Sequence, residues 1–344
     1  MKVDYHIHLE EGPYSIGWLA KINDALQYFE PLKEEKYSME WLMKTQERLQ
    51  RRVKEGPFTA KWIDLYLEEA VRKGIKEVGI VDHLYRFHEA KGYYEKYVDI
   101  SDSKLGRLQK EWLDQVRVTS IYDFTKAIEV AKERWSKRGI TLKLGIEADY
   151  FIGGEQELKG LLALGDFDYV IGSVHFIDGW GFDNPDTKEY FGTHELHTLY
   201  HTFFATVESA VRSELFDIIA HLDNIKVFNY RLDENEQLSY YKEIARALVE
   251  TNTATEINAG LYYRYPVREM CPSPLYLQVL AKHGVPITLS SDAHYPNDLG
   301  KYVEENIKTL RNHDISHIAT FTKRVRTMRL LEEEGIISKR NTIF

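Results

Sequence analysis

The sequence predicts an α/β fold in which seven strand–helix units close into a (β/α) barrel. Three observations predict it: seven short and mostly apolar runs, helical stretches between them, and a length of 344 residues that suits one large domain. The seven runs are Lys2–His6, Glu77–Val81, Leu142–Ile146, Tyr169–Val174, Asp217–Ala220, Ala254–Ile257 and Pro286–Leu289. Short apolar strands are typical of a parallel sheet that helices cover. In such barrels the chemistry lies at the carboxyl ends of the strands.

The helices between the runs carry apolar residues at helical spacing and end where a glycine follows. Glycine is favoured there because it adopts the left-handed conformation that closes a helix. Three such helices are Trp62–Lys73 before Gly74, Tyr122–Arg138 before Gly139, and Leu275–His283 before Gly284. Their alternation with the apolar runs supports the repeating unit.

Two segments, residues 22–56 and 85–117, fit the repeat poorly. The first is charged and is predicted to be helical. Its expected apolar stripe consists of Met39, Leu42, Leu49 and Val53. The second is rich in Lys, Glu and Tyr and shows little periodicity. We therefore expect a single barrel domain over residues 1–344, with both segments inserted as lids or as plain surface elaboration.

Composition limits the partners and the compartment. The formal net charge of −9 argues against nucleic-acid binding. An anionic substrate remains compatible with it if bound divalent cations reverse the local field. Cys271 is the only cysteine, which indicates a reducing compartment. The chain shows no signal-peptide pattern and no apolar run of about 18 residues. We expect a soluble cytoplasmic protein without a membrane partner, and oligomeric state stays open.

Potential metal ligands end each predicted strand. His6 and His8 alternate along a strand and therefore point to the same side. The later strand ends carry Asp82 and His83, Glu147, His175, His221, Glu256, and Asp292 and His294. A lone histidine after a strand is usually a structural residue, but the joint pattern favours ligation. Imidazole with carboxylate suits Zn²⁺, Mn²⁺ or Fe²⁺, and the surplus of ligands indicates a multinuclear site.

These motifs, in this order, resemble those of the polymerase and histidinol phosphatase (PHP) family, from Val3 to about Leu299. The motifs are Asp4-Tyr5-His6-Ile7-His8, Val81-Asp82-His83, Glu147, His175, His221 and Asp292-Ala293-His294. The runs 172–176 and 256–261 are similar to the histidinol-phosphatase branch. The resemblance implies a distorted seven-stranded barrel with two or three divalent metal ions at the strand ends.

The resemblance also implies how the ligands divide among the ions. The implied sets are His6, His8, Glu147 and Asp292 for the first ion, Glu147, His175 and His221 for the second, and His83 and His294 for the third. Many relatives have a further histidine after the first motif, and this chain has none there. Either Glu10 or Glu11 replaces it, with Glu11 the expected ligand, or the third site is weak or empty.

The implied activity is metal-dependent hydrolysis of a phosphate monoester, L-histidinol phosphate in histidine biosynthesis. Arg264 matches a family arginine that would hold the phosphate, and Lys226 is either a second cation or an ordinary lysine. Asp292 or His294 would supply the proton to the leaving group. Candidates for the imidazole and ammonium groups of the substrate are Asp178, Trp180, Asp183 and the tyrosines of residues 85–97.

Three other functions compete with this one. The first is hydrolysis of another phosphorylated small molecule or a nucleotide by the same metal centre, with specificity in the two insertions. An amidohydrolase that cleaves a C–N bond shares the barrel and the first His-x-His motif. A degenerate binding module is favoured only by the missing histidine. His194, His197 and His201 lack the spacing of a metalloprotease motif and are expected to be surface residues.

Overall fold

The computed structural model describes residues 1–331, and it confirms the barrel. Its strands are β1 (Val3–Ile7), β2 (Glu77–Ile80), β3 (Thr141–Asp149), β4 (Tyr169–Ser173), β5 (Phe176–Ile177), β6 (Trp180–Gly181), β7 (Ile218–Ile219), β8 (Ala254–Asn258), β9 (Ile287–Ser290), β10 (His317–Thr322) and β11 (Val325–Leu330). Seven of them pair in parallel in the order β1-β2-β3-β4-β7-β8-β9. The backbone N–H of His8 donates to the carbonyl of Ala293 over 2.7 Å, which joins the two ends of the sheet. Residues 332–344 of the expected domain lie outside the described residues.

Helices connect the strands and cover the outside of the barrel. They are α1 (Ile16–Phe29), α2 (Met39–Glu55), α3 (Ala60–Lys73), α4 (Lys91–Tyr97), α5 (Lys104–Val116), α6 (Ile121–Lys137), α7 (Glu155–Leu162), α8 (Leu196–Arg212), α9 (Leu238–Glu250), α10 (Gly260–Arg264), α11 (Pro274–His283) and α12 (Val303–Asn312). The three predicted helices are present as α3, α6 and α11. Within residues 1–331, no helix combines the length and apolar content needed to cross a membrane.

Tyr169 fills the inside of the barrel and shows why two strands carry glycine. A Cβ on Gly79 would lie 1.9 Å from the Tyr169 Oη, and one on Gly145 would lie 2.6 Å from its Cζ. The Tyr169 hydroxyl donates to the carbonyl of Tyr5 over 2.6 Å, which satisfies this buried polar group. The interior is therefore a packed core and not a channel.

The β10–β11 hairpin lies against the amino ends of the strands. The backbone N–H of Phe321 donates to the Tyr5 Oη over 2.9 Å. The ammonium of Lys143 donates to Thr322 Oγ1 over 2.6 Å. With this end occupied, the opposite end of the barrel carries the convergent polar side chains.

The structure corrects the expected packing of residues 22–56. This region contains most of α1 and all of α2, but the stripe residues Met39, Leu42 and Val53 are exposed, while Leu49 is partly buried. The buried face of α2 includes a charged residue, Arg52, which points inward. Its guanidinium pairs with Glu10, and its Cζ lies 4.2 Å from the centroid of the Trp62 ring. The predicted stripe is therefore divided: Leu49 packs against the core, whereas Met39, Leu42 and Val53 face away from it.

Residues 85–117 are more regular than their sequence predicts. They form two 3₁₀ turns, Leu84–Arg86 and His88–Ala90, followed by α4 and α5. One face of α5 buries Gln109, Leu113 and Val116. Because Gln109 is polar, the sequence does not show this buried face as a regular apolar pattern. The side-chain amide of Gln109 donates to the carbonyls of Asp99 and Gly179.

Candidate active site

The carboxyl ends of the strands bring the predicted ligands of the first ion together. The Nε2 atoms of His6 and His8 lie 3.1 Å apart at the end of β1. Both approach Glu147 Oε2, at 3.3 and 3.4 Å. Asp292 Oδ1 lies 3.7 Å from the His8 Nε2. These four side chains, drawn from β1, β3 and the end of β9, surround one point.

The predicted ligands of the second ion meet on the other side of Glu147. The Nε2 atoms of His175 and His221 are 3.2 Å apart. Glu147 Oε1 lies 3.2 Å from the His221 Nε2 and 3.6 Å from the His175 Nε2. The two oxygens of Glu147 thus face different histidine pairs, which is the geometry that a bridging carboxylate needs.

The third predicted cluster contains Glu11 and excludes Glu10. His8, His83 and His294 offer nitrogen atoms within 4.8 Å of one another. Glu11 Oε2 lies 3.3 Å from the His294 Nε2. Glu10 points away, since it pairs with the buried Arg52 and lies 3.7 Å from the Arg86 guanidinium. The geometry favours Glu11 in the position of the histidine that many relatives have.

The cluster fits divalent cations. His6 Nδ1 lies 3.0 Å from Glu256 Oε2, and His175 Nδ1 lies 2.7 Å from Asp149 Oδ1. When each Nδ1 carries the proton, each Nε2 carries a lone pair that faces the Nε2 of the neighbouring histidine. The two lone pairs repel each other, and a cation bound between the two Nε2 atoms removes this repulsion. Glu147 Oε2 and His294 Nε2 are buried and lack a hydrogen-bond partner among the described residues.

The electrostatics of the metal-free cluster agree with this view. Burial alone would raise the pKa of Glu147, but His83 and His6 hold it well below its usual range. Burial alone would lower the pKa of His6, but Glu256, Glu147 and Asp292 raise it well above its usual value. Glu147 is therefore charged, as a carboxylate ligand must be, and the second proton that His6 holds in the metal-free cluster must leave when a cation binds.

Sequence reasoning missed the roles of Asp149 and Glu256. Asp149 lies two residues after Glu147 on β3, so strand alternation would have placed both on one face. Its Oδ2 accepts a hydrogen bond of 2.6 Å from the Tyr94 hydroxyl, while its Oδ1 faces His175. Glu256 lies at the end of its predicted strand, and the sequence pattern alone indicates no role for it. Both carboxylates orient histidines in the manner that supports metal ligation.

Asp292 takes its position because Gly260 makes room for it. The backbone φ of Asp292 is +54°, a region that non-glycine residues rarely adopt. A Cβ on Gly260 would lie 2.2 Å from Asp292 Oδ2. Arg264, one turn along α10, places its Nη1 3.3 Å from Asp292 Oδ1. The unusual backbone conformation of Asp292 and the close approach of its carboxylate to Gly260 together place the carboxylate at the cluster.

A cavity of about 330 Å³ opens beside the cluster. Arg264, His83 and His175 lie where the cavity meets the cluster, and Tyr85, Trp112 and Phe176 form an aromatic wall. Asp183 lies on the cavity surface, and burial raises its pKa even though His175 opposes the shift. Of the substrate-contact candidates, Asp183 and Tyr85 therefore line the cavity, whereas Asp178 and Trp180 do not.

Lys226 does not line this cavity, unlike Arg264. Its ammonium donates to Asp223 Oδ2 at 2.7 Å and to the Met270 carbonyl at 2.7 Å, and it pairs with Glu269 Oε2 at 2.8 Å. These contacts use all three N–H donors of the side chain. The geometry therefore favours a structural role over phosphate binding.

Comparison with known proteins identifies the family. The model of the PHP domain matches residues 59–260. A "Probable histidinol-phosphatase" of Deinococcus radiodurans is 34% identical over 205 residues, which cover 58% of this chain and 76% of that protein. Another, of Clostridium acetobutylicum, is 25% identical over 248 residues, which cover 69% and 93%.

Comparison of the fold with solved structures also finds a histidinol phosphate phosphatase. A crystal structure of histidinol phosphate phosphatase from Lactococcus lactis, in complex with zinc, L-histidinol and phosphate, aligns with a TM-score of 0.63 at 18% identity. The alignment covers 95% of this chain and 98% of that one. The chain belongs to the PHP family, and the resemblance found in its sequence is confirmed. The class that the barrel and its histidine–carboxylate cluster define is a phosphoesterase-type hydrolase.

Proposed function

We propose that this protein is a metal-dependent phosphatase whose substrate is L-histidinol phosphate, which it converts to L-histidinol and phosphate in histidine biosynthesis. One observation carries the proposal: Arg264 lies between a cluster of histidines and carboxylates and a cavity of about 330 Å³. The names of the relatives support the choice of substrate. We further propose a cytoplasmic location and zinc, manganese or iron as the metal.

Arg264 is the proposed phosphate-binding residue. Its two terminal nitrogens contact Glu11 and Asp292 at 3.0 and 3.3 Å, so the guanidinium is already held by acids on two sides. A planar guanidinium can bind two phosphate oxygens at once. Because the guanidinium is already oriented, phosphate binding costs less conformational entropy.

The proposed ligands of the ions are those predicted, with Glu11 in the third set. These ligands are His6, His8, Glu11, His83, Glu147, His175, His221, Asp292 and His294. When bound, two or three ions supply positive charge to phosphoryl oxygens and lower the pKa of water. Asp292 and His294 lie at the edge of the cluster near Arg264, where either one could accept the proton of the attacking water and pass it to the departing alkoxide.

The cavity suits the organic part of the proposed substrate. The aromatic wall of Tyr85, Trp112 and Phe176 can contact a flat imidazole ring. Asp183 offers a carboxylate to a cationic ammonium. Tyr85 and Trp112 come from residues 85–117, which gives this segment the proposed role of a specificity lid.

Phosphate release tests the proposal. L-histidinol phosphate is compared with a panel of sugar phosphates, nucleoside monophosphates and phosphodiesters, each with Zn²⁺ or Mn²⁺ and with chelator. Chelator-sensitive hydrolysis with a clear preference for L-histidinol phosphate is expected. Hydrolysis of other monoesters without this preference would contradict the substrate and favour another phosphorylated molecule. Absence of any hydrolysis would contradict the phosphatase itself.

A further inference from the structure

Glu11 lies in a segment that no strand or helix orients. Residues 8–15 separate β1 from α1, so the alternation of a strand does not set the direction of their side chains. Glu10 and Glu11 are adjacent and carry the same carboxylate, and a cation would attract either one. The position of Glu11 at the third predicted cluster therefore needs a cause outside this segment.

The backbone before the two glutamates is held by side chains from α3 and from the end of β2. The hydroxyl of Tyr66 donates to the carbonyl of His8 over 2.7 Å, and the indole Nε1 of Trp62 donates to the carbonyl of Leu9 over 2.9 Å. The backbone N–H of Leu9 donates to Asp82 Oδ1 over 3.1 Å. These three bonds fix the chain as far as the residue that precedes the glutamates.

Arg52 of α2 holds the Glu10 carboxylate away from the cluster. Both side chains are buried, with exposed fractions of 6% and 4%, and the arginine Nη2 donates to the glutamate Oε2. The guanidinium is enclosed by two indole rings, since its Cζ lies 4.2 Å from the Trp62 ring centroid and 5.7 Å from that of Trp18. The other oxygen of Glu10 accepts from the Tyr14 hydroxyl over 2.9 Å. Separating this enclosed pair would leave buried charges without partners, which is strongly unfavourable.

With Glu10 anchored, Glu11 is left on the side of the cluster. Its Oε2 lies 3.3 Å from the His294 Nε2 and 3.0 Å from the Arg264 Nη2. A glutamate side chain is flexible, and ordering it at one point costs conformational entropy. An anchor on the adjacent residue fixes the backbone from which Glu11 projects and so reduces the freedom that must be lost.

We propose that Arg52 is a positioning residue: by holding Glu10 away from the cluster, it makes Glu11 the side chain that faces the third ion. Arg52 lies 42 positions from Glu10 and belongs to α2, inside the segment 22–56 that fits the barrel repeat poorly. This segment thereby supports the third metal site, although none of its residues, all of which the structure describes, lines the cavity. The inference rests on the proposed metal centre and is independent of the identity of the substrate.

Titration of the metal-free protein with Zn²⁺ tests this role. The unaltered chain should bind a third ion, and Glu11→Gln should weaken one ion only, which identifies the third site. Arg52→Met should weaken the same ion about 10-fold or more, as expected for the loss of a group that orients a metal ligand. The other ions should bind as before, since their ligand sets do not include Glu11. Arg51→Met changes the neighbouring, exposed arginine of α2 and is the matched control, with unchanged binding of every ion.

A second variant separates positioning from stability. Arg52→Met leaves the Glu10 carboxylate buried without its cation, which destabilises the fold. Arg52→Met combined with Glu10→Gln removes both charges, and the glutamine can still accept from the Tyr14 hydroxyl. Its unfolding temperature should return toward that of the unaltered protein, whereas its third ion should stay weakly bound, because no ion pair anchors residue 10. This double variant also carries the test if the single variant does not fold.

The outcomes distinguish this proposal from the proposed function. A third ion that binds equally well in Arg52→Met, or that regains its affinity together with the unfolding temperature in the double variant, would overturn the positioning role. An unaltered protein that binds only two ions would overturn it as well. Hydrolysis of L-histidinol phosphate is measured separately on the unaltered protein. Its absence in a chain that binds the third ion through Glu11 would contradict the proposed function and leave the role of Arg52 in place.

Discussion

Arg264 Nη2 lies 3.0 Å from Glu11 Oε2, and this ion pair joins two residues that are 253 positions apart. It links α10 to the loop that follows β1, at the boundary between the metal-ligand cluster and the cavity. Glu11 also faces His294 at 3.3 Å. The pair therefore connects the proposed phosphate-binding residue directly to the proposed third metal site.

Replacing Arg264 should affect phosphate binding without removing the metals. Arg264→Ala should lower kcat/KM by about 100-fold or more, because a donor aimed at developing negative charge is lost. The kcat/KM of Arg264→Lys should lie between those of the unaltered protein and Arg264→Ala, since lysine keeps the charge but not the two-point contact. Steady-state kinetics and metal analysis measure the effects. Unchanged kinetics in the alanine variant would remove Arg264 from the site.

Gly260→Ala should displace Asp292. The added Cβ would lie 2.2 Å from Asp292 Oδ2, so the carboxylate must leave its position beside His8. We expect activity to fall at least 10-fold, because a displacement of about 1 Å can cost 100-fold. Gly160→Ala in α7, where no atom lies within 4 Å, is the matched control and should keep full activity. Equal activity in both variants would contradict the role of Asp292.

Asp149→Asn should weaken metal binding through His175. The carboxylate fixes the ring by accepting from Nδ1, and its loss should lower metal affinity about 10–100-fold. Tyr94→Phe removes only the second hydrogen bond to Asp149, so its effect should be smaller. Titration of the metal-free protein with Zn²⁺ measures both. An affinity unchanged in Asp149→Asn would argue that His175 needs no support.

Lys226→Met should destabilise the fold and leave catalysis intact. The substitution leaves Asp223 buried without its cation, which costs about 3–5 kcal/mol of unfolding free energy. Lys96→Ala, at an exposed pair with Glu157, should leave the unfolding free energy almost unchanged, because water screens an exposed ion pair. Urea denaturation and kinetics at low temperature separate the two effects. A large loss of kcat/KM in folded Lys226→Met would restore this lysine to the phosphate site.

Chelation should abolish activity and lower the unfolding temperature. Glu147 lies within 3.4 Å of both His6 and His8, an arrangement of ligand atoms that bound cations stabilise in the folded state only. Adding Zn²⁺ or Mn²⁺ back should restore both properties, whereas Mg²⁺ should restore them poorly because imidazole is a weak ligand for it. Full activity of metal-free protein would contradict metal-dependent hydrolysis.

The sequence by itself determined the barrel and the residues that its strand ends bring together. The reason is local: strands show their apolar runs directly, and alternation places His6 and His8 on one side. Parallel pairing then brings every carboxyl end to one rim, so the residues that end the strands converge. None of this requires knowledge of particular contacts.

Only the tertiary structure decided which side chains face the cluster. Glu10 and Glu11 are neighbours in the chain, and the choice between them depends on Arg52, which lies 42 positions from Glu10. The same ion pair holds the polar Arg52 inward on α2 and leaves Met39, Leu42 and Val53 outward, against the ordinary pattern. Lys226 likewise lies beside Glu269 and away from the cavity. These outcomes depend on pairs of charges from distant parts of the chain, whose meeting no local pattern records.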